Sequence, residues 1–335
     1  MNRVLFSIIV PACNAESFIE DCVSSVCEQQ FDSNRYEVIV VDDGSADNTA
    51  SLVRKLQEKY CNLLLICQEN GRQGRARNTG VKHAVGQYIM FLDSDDKWLS
   101  QGVFARLHQI ITEHNPDYIF TKGYTSIHLD DSICGWKDFV ESEVEIIDAD
   151  TCIASHDFSF SCCNYVYRRE IFDEKGISFA EKCFFEDLDF CVKSLFAMGG
   201  DARVAKLYFP YYGYRENPVS TTRNGNIKLW LDNLQAIERL LKFVLEASEL
   251  KSKALKVTML RCKNDLLRKP WCVFKANFAY GECRAFYKRW LEVLYDMKKK
   301  ENFREWVSTI PLCVFFTYGV MYRSMCKLKY MMMSK

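Results

Sequence analysis

The sequence has no Cys-x-x-Cys pair and no histidine cluster at zinc spacing, although it contains 16 cysteines. That argues against a structural zinc and against a Cys-x-x-Cys redox centre. The cysteines sit in apolar runs such as Val23-Ser24-Ser25-Val26-Cys27 and Leu65-Ile66-Cys67. This is the setting of buried free thiols in a reducing compartment, not of a disulfide framework. Cys162-Cys163 is the one adjacent pair, and uncharged buried thiols are ordinarily inert. The first ten residues lack the marks of a secretory leader, with one Arg, a short apolar run stopped at Pro11 and no small-residue cleavage site. The expected location is the cytoplasm. Neither a Rossmann Gly-x-Gly-x-x-Gly fingerprint nor a P-loop occurs. There is no repeat, low-complexity tract, RNP or helix-turn-helix signature, so nucleic acid is not an expected partner.

The chain does have enough apolar surface for a substantial core, with 48% hydrophobic and 14% aromatic residues among 335. That length predicts two packed units, or one α/β domain with a helical extension. Formal charge is zero but unevenly spread. Residues 251–335 carry 19 Lys+Arg against 6 Asp+Glu, which leaves residues 1–250 at −13. A basic end beside an acidic body points to an anionic partner there, the membrane surface before nucleic acid. Residues 307–322 carry no charge, contain Phe315, Phe316, Tyr318 and Tyr322, and are flanked by Arg304, Arg323, Lys327 and Lys329. A span needs about 20 apolar residues, so the stretch fits an interfacial helix or a buried core helix.

The organising stretch is Tyr88-Ile89-Met90-Phe91-Leu92, which runs into Asp93-Ser94-Asp95-Asp96. A buried strand ending in carboxylates at a sheet edge has this form. Two carboxylates one residue apart can share a Mg²⁺ ion with ligand phosphates. The alternative is a polar turn whose Asp95 or Asp96 caps a helix. Three strands are expected earlier, at 6–10, 37–41 and 63–67, alternating with helices whose apolar faces include Ile19, Cys22, Val23 and Val26, then Leu52, Val53 and Leu56. This alternation predicts a mostly parallel sheet flanked by helices. Residues 11–14, Asp42-Asp43 and 93–96 should then converge at its carboxyl edge, with Asn14 capping the first helix. Between strands, 69–80 holds Gly71, Gly74, Arg72, Arg75 and Arg77. It reads either as a forked-donor contact to the ligand, Arg77 being the candidate, or as a solvated basic helix start.

Ser7-Ile8-Ile9-Val10-Pro11-Ala12-Cys13-Asn14, Val38-Ile39-Val40-Val41-Asp42-Asp43-Gly44-Ser45, Gly74-Arg75-Ala76-Arg77-Asn78 and Phe91-Leu92-Asp93-Ser94-Asp95-Asp96 resemble the successive signatures of the family 2 glycosyltransferases. The resemblance implies a GT-A fold, a nucleotide-sugar donor, most often a UDP-sugar, and a Mg²⁺ or Mn²⁺ ion held by the DXD motif. By it, Pro11, Ala12 and Asp43 contact the base, Asp93 the ribose, and Asp95 the metal. Cys13 departs from the Tyr common in the family. Further on, 165–172 and 176–179 again resemble it, and Glu186-Asp187 is similar to its acidic pair across the crevice from the metal, which makes Asp187 the candidate general base and Glu186 a supporting acid. Without that likeness, acids in a first helical turn simply favour the helix dipole. Arg215, in the Tyr-Arg segment 210–223, could clamp the diphosphate; the alternative is an ordinary surface Arg on an aromatic strand.

The expected organisation is a GT-A catalytic domain over 1–224, with a nucleotide-sugar half (1–98) and an acceptor half (99–224), then a helical region over 225–335. The resemblance implies inverting transfer to a saccharide or polyprenyl-linked acceptor in surface-polysaccharide assembly, by an enzyme peripheral to the cytoplasmic face of the plasma membrane. A phosphoryl-transfer enzyme with an Asp-x-Asp strand end, or a nucleotide-sugar-binding protein without catalysis, are the alternatives.

Overall fold

The computed structural model describes residues 4–129, 142–155, 158–217 and 227–246, with isolated helical positions between 254 and 293. The chain divides into two compact units, Met1–Ser220 with Ser252–Val257, and Thr221–Lys251 with Thr258–Lys335.

In the first unit strands and helices alternate through β1 (Phe6–Ala12), α1 (Ile19–Cys27), β2 (Tyr36–Asp43), α2 (Thr49–Gln57), β3 (Leu63–Gln68), α3 (Arg72–His83) and β4 (Tyr88–Phe91). Then follow β5 (Lys97–Trp98), α4 (Val103–His114), β6 (Tyr118–Lys122), β7 (Thr125–Ile127), β8 (Glu145–Asp148) and α5 (Ala149–Ala154). The unit continues with β9 (Tyr165–Arg168), α6 (Glu170–Asp173), α7 (Glu186–Ala197), β10 (Arg203–Tyr208) and β11 (Tyr212–Arg215). The large sheet has the order β3-β2-β1-β4-β9-β6-β10-β8. Only β9 and β8 run against their neighbours, so the carboxyl ends of β1, β2, β4, β6 and β10 share one edge. β1 is buried along its whole length and β2 nearly so, which is why both read as continuous apolar runs. α3 lies directly on β1: a Cβ on Gly80 would come within 2.4 Å of the Ile9 side chain.

A second sheet, β5-β11-β7, continues from the ends of β4, β6 and β10. β11 pairs antiparallel with β5 and parallel with β7. It therefore brings residues 212–215 beside the strand that follows the carboxylates of residues 93–96.

Two expectations change. Asn14 does not cap α1, whose first residue is Ile19. Its backbone is left-handed (φ 52°), its amide donates to Ser45 Oγ (2.9 Å) and its Oδ1 accepts from Ala46 N (2.9 Å). Asn tolerates that conformation, so it ties the end of β1 to the end of β2 instead. Nor does Asp95 or Asp96 cap a helix, because α4 begins at Val103 after Gly102.

In the second unit α8 (Ile227–Glu246) buries Leu234, Ile237, Leu241 and Val244, as its helical spacing predicts, together with Leu229 and Leu240. Glu238 of this helix pairs with Arg289 and Lys242. Among the described residues no helix is long and apolar enough to cross a membrane. Residues 307–322 lie outside the described residues.

Candidate active site

The three strand ends meet. Leu92 N donates to Ile9 O (3.1 Å), which holds the turn after β4 against β1. Pro11 and Ala12 close β1 and are buried. Asp43 closes β2, 2% exposed, with Oδ1 accepting from Gln68 Nε2 (2.7 Å) and Gly71 N (2.9 Å). Its Oδ2 is buried and has no protein partner, as is true of Asp42 Oδ1. A buried, unpaired carboxylate oxygen is costly, so a ligand N–H is the natural complement. Cys13 is exposed beside it, its Sγ accepting from Asn70 Nδ2 (3.4 Å).

Each carboxylate after β4 has a different fate. Asp93 accepts from Arg77 Nη2 (2.7 Å). Asp95 Oδ2 accepts from Asn217 Nδ2 (3.3 Å), and its carbonyl accepts from Arg215 Nε (3.0 Å). Asp96, 2% exposed, takes the Tyr212 hydroxyl on Oδ2 (2.6 Å) and the Arg215 amide on Oδ1 (2.8 Å). The same Tyr212 oxygen accepts from Asp93 N (3.3 Å). Asp96 is thus the post that fastens β11 to the acidic turn. Arg215 is 4% exposed and not a surface residue; its Nη2 reaches Asp21 of α1 (2.6 Å), which also meets Lys97 Nζ (3.1 Å).

Negative charge is in excess here. Burial, then Asp93 and Asp95, lifts Asp96 to about 8. Asp95 is raised as well, first by burial and then by Asp93. Closely set, desolvated carboxylates disfavour one another's charge. An all-oxygen set of this kind fits a hard divalent cation shared with phosphate oxygens, Mg²⁺ or Mn²⁺, better than zinc. With Asp96 committed to Tyr212 and Arg215, Asp95 and Asp93 are the residues that would hold it. Among the described residues no group of three or more His, Cys, Asp or Glu forms a metal cage.

Across from this turn, α7 opens at Glu186 after Phe185, whose backbone is left-handed (φ 58°). That conformation is unusual for a bulky residue and marks a constrained position. The acids of the first turn diverge. Asp189 pairs with Lys193 (2.6 Å) one turn on. Glu186, 4% exposed, meets Arg77 Nη1. Asp187 is partly exposed and lifted to about 7, by burial first and Glu186 second, with Arg77 opposing. No Lys or Arg is ion-paired with it among the described residues. Arg77 lies in the second turn of α3 and is 2% exposed, so it is not a solvated helix start.

Sequence reasoning did not find Tyr212, Asp96 as a fastening group, Asn217 or Asp21. Tyr212 and Asn217 flank Arg215 and could have been drawn from that segment. Asp21 meets Arg215 across 194 residues, and no local pattern signals such a contact.

The family model described as glycosyl transferase family 2 matches residues 7–176. The chain belongs to glycosyl transferase family 2. Its relatives within glycosyl transferase family 2 include EpsJ of Bacillus subtilis, described as an uncharacterized glycosyltransferase, 33% identical over 230 residues, 65% of this chain and 63% of EpsJ. The poly(ribitol-phosphate) beta-N-acetylglucosaminyltransferase TarS of Staphylococcus aureus is 36% identical over 119 residues, 35% of this chain and 20% of TarS. This family 2 chain thus spans less than two thirds of either relative's length. A crystal structure of TarS 1-349 in complex with UDP-GlcNAc superposes at TM-score 0.60, with 23% identity, covering 72% of this chain and 67% of that one. The mannosyltransferase PcManGT from Pyrobaculum calidifontis, in complex with GDP-Man and Mn²⁺, gives TM-score 0.51 at 16% identity, covering 95% and 87%. The fold is the GT-A type.

Proposed function

We propose that the protein is an inverting glycosyltransferase that moves a hexosyl or N-acetylhexosaminyl group from a UDP-sugar to a saccharide or polyprenyl-linked acceptor in surface-polysaccharide assembly. The observation that carries this is Asp187, a carboxylate poised at about 7 without an ion-pair partner among the described residues, beside a partly exposed acidic strand end suited to a metal and a diphosphate. A general base works best with a pKa near the operating pH.

In the transfer step the acceptor hydroxyl oxygen forms a bond to the anomeric carbon while the bond from that carbon to the diphosphate oxygen breaks. The bonding electron pair leaves with the diphosphate, and the hydroxyl proton passes to Asp187. Attack from the face opposite the leaving group inverts the centre. Asp95, with Asp93, would hold Mg²⁺ or Mn²⁺, which supplies neutralisation of charge on the departing diphosphate. Asp43 Oδ2, with Pro11 and Ala12, receives the base. Arg215, fixed by Asp21, directs positive charge towards the diphosphate. Glu186 supports the turn that carries Asp187. UDP is favoured because TarS is described with UDP-GlcNAc. The basic 251–335 region holds the enzyme on the anionic cytoplasmic face of the membrane. The phosphoryl-transfer alternative requires a nucleophilic Asp closing the first strand, whereas β1 closes in Ala12.

The test is thermal shift of the full chain against UDP, GDP, CDP and dTDP, with and without Mn²⁺. A ligand that binds only the native state must stabilise it. A Mn²⁺-dependent rise with UDP is expected; a folded protein unmoved by any of them would refute the proposal.

A further inference from the structure

Residues 176–185, which deliver Asp187 to the site, form no helix or strand. Something else must fix their position, and α3 is what they rest on. Asn78 donates to Phe179 O and to Glu181 Oε1 (3.0 Å each) and accepts from Phe179 N (2.9 Å). Gly74 lets the Ala180 carbonyl touch the helix: a Cβ there would lie 2.1 Å from that oxygen. The Arg77 guanidinium lies 5.4 Å from the Phe179 ring centroid, and its two Nη groups engage Glu186 and Asp93. Phe179 in turn stacks on Phe190 of α7, with centroids 3.6 Å apart.

We infer that Arg77 is a positioning residue, a clasp that draws the helix start carrying the base and the strand end carrying the metal-binding acids into one fixed geometry without itself binding the donor. Glu186 and Asp93 would repel each other without the cation between them, and Glu186 is buried. A planar fork presents its donors to two carboxylates in fixed directions, whereas a lysine ammonium can bridge two carboxylates without fixing their relative orientation. The left-handed Phe185 lies directly before Glu186, so the grip acts on a constrained turn. The role rests on the reading of Asp187 as base, because the clasp matters for turnover only if the helix start carries the reacting group.

The experiment is a double-mutant cycle of Arg77→Lys and Glu186→Gln, with kcat, donor KM, Kd for UDP with Mn²⁺ and melting temperature measured for each form. Each single variant should lose about 10²-fold in kcat, the scale of a misplacement of about 1 Å, and Glu186→Gln, which leaves the Arg77–Asp93 contact in place, should keep donor KM and UDP affinity within about threefold. The double variant should be no slower than the worse single, because both break one contact. Arg77→Lys that weakens UDP binding about tenfold while keeping kcat would make Arg77 a donor ligand and overturn the clasp, as would losses that multiply to about 10⁴-fold. Should Arg77→Lys fail to fold, the isosteric Glu186→Gln breaks the same pair alone, and unchanged kcat in it overturns the proposal. A wild-type chain that binds no nucleotide, or an Asp187→Asn variant with normal turnover, would instead refute the proposed function. The clasp is then judged on melting temperatures, where additive shifts reject it and non-additive shifts retain it.

Discussion

The sharpest consequence concerns the acid limb of the pH–rate profile. Asp187 is lifted from the ordinary 3.8 to about 7, by burial first and the adjacent Glu186 second. At about 1.36 kcal/mol per unit, this is roughly 4 kcal/mol of resistance to ionisation. A carboxyl with a raised folded-state value is protonated below it and cannot accept the acceptor's proton. With donor and Mn²⁺ saturating, a divalent cation on a doubly charged diphosphate adds no net charge, so the limb should stay near 7. kcat/KM for the acceptor should then fall about tenfold per pH unit below 7 and level off above it. Asp187→Asn should lose about 10²–10⁴-fold in rate and flatten that limb while still binding UDP. The linkage has a definite sign. Because the folded value lies above the unfolded one, ionising Asp187 costs stability as pH rises from about 4 to about 7. Asp187→Asn should therefore raise the melting temperature at pH 8, and the gain should shrink towards pH 4. A wild-type profile flat down to pH 5 in a folded protein, or a limb that survives in Asp187→Asn, would refute the assignment.

Asp95→Ala should abolish the metal dependence of UDP binding in calorimetry; retained Mn²⁺-dependent affinity would remove Asp95 from the metal site. Gly74→Ala should destabilise the fold by about 1–3 kcal/mol in urea titration, the cost of overpacking against a fixed carbonyl, and an unchanged midpoint would mean that α3 and residue 180 are not in contact. The full chain should co-sediment with vesicles rich in anionic lipid at low salt and release as ionic strength screens its basic end. Binding to neutral vesicles that ignores salt would point to apolar insertion instead.

The first four strands were legible because β1, β2 and β4 are buried along nearly their whole length and must be apolar, β3 is apolar over residues 63–67 although partly exposed, and their helices keep one apolar face. β7 and β8 were not, at three and four residues, too short for any period to show. The placement of the candidate residues was legible wherever a motif lies on one strand end, as at Asp43 and at Asp93–Asp95, which the sheet brings to one edge. It was obscure where one side chain serves distant parts of the chain. Arg77 reaches 16 residues to Asp93 and 109 to Glu186, so its local surroundings suggested a ligand contact or a solvated turn equally well. Asn14 illustrates the same gap: its amide is suited both to a helix cap and to a loop tie, and only the neighbouring strand end decides.

The distribution of guanidinium groups also bears on how, under the proposed function, one acid of an adjacent pair would remain a base. Arg77 is the cation paired at the start of α7, and it is spent on Glu186 and Asp93. Arg215 is turned towards Asp21 and the Asp95 carbonyl. Asp187 is left beside a negative neighbour without an ion-pair partner among the described residues, and the same burial that would stabilise an apolar side chain there raises its affinity for a proton. Were Arg77 shifted by one turn to face Asp187, the carboxylate would be neutralised and its basicity lost. The structure therefore separates two chemically similar acids by what they face: Glu186 is paired with Arg77, Asp187 has no ion-pair partner among the described residues, and under the proposed function the unpaired acid is the base.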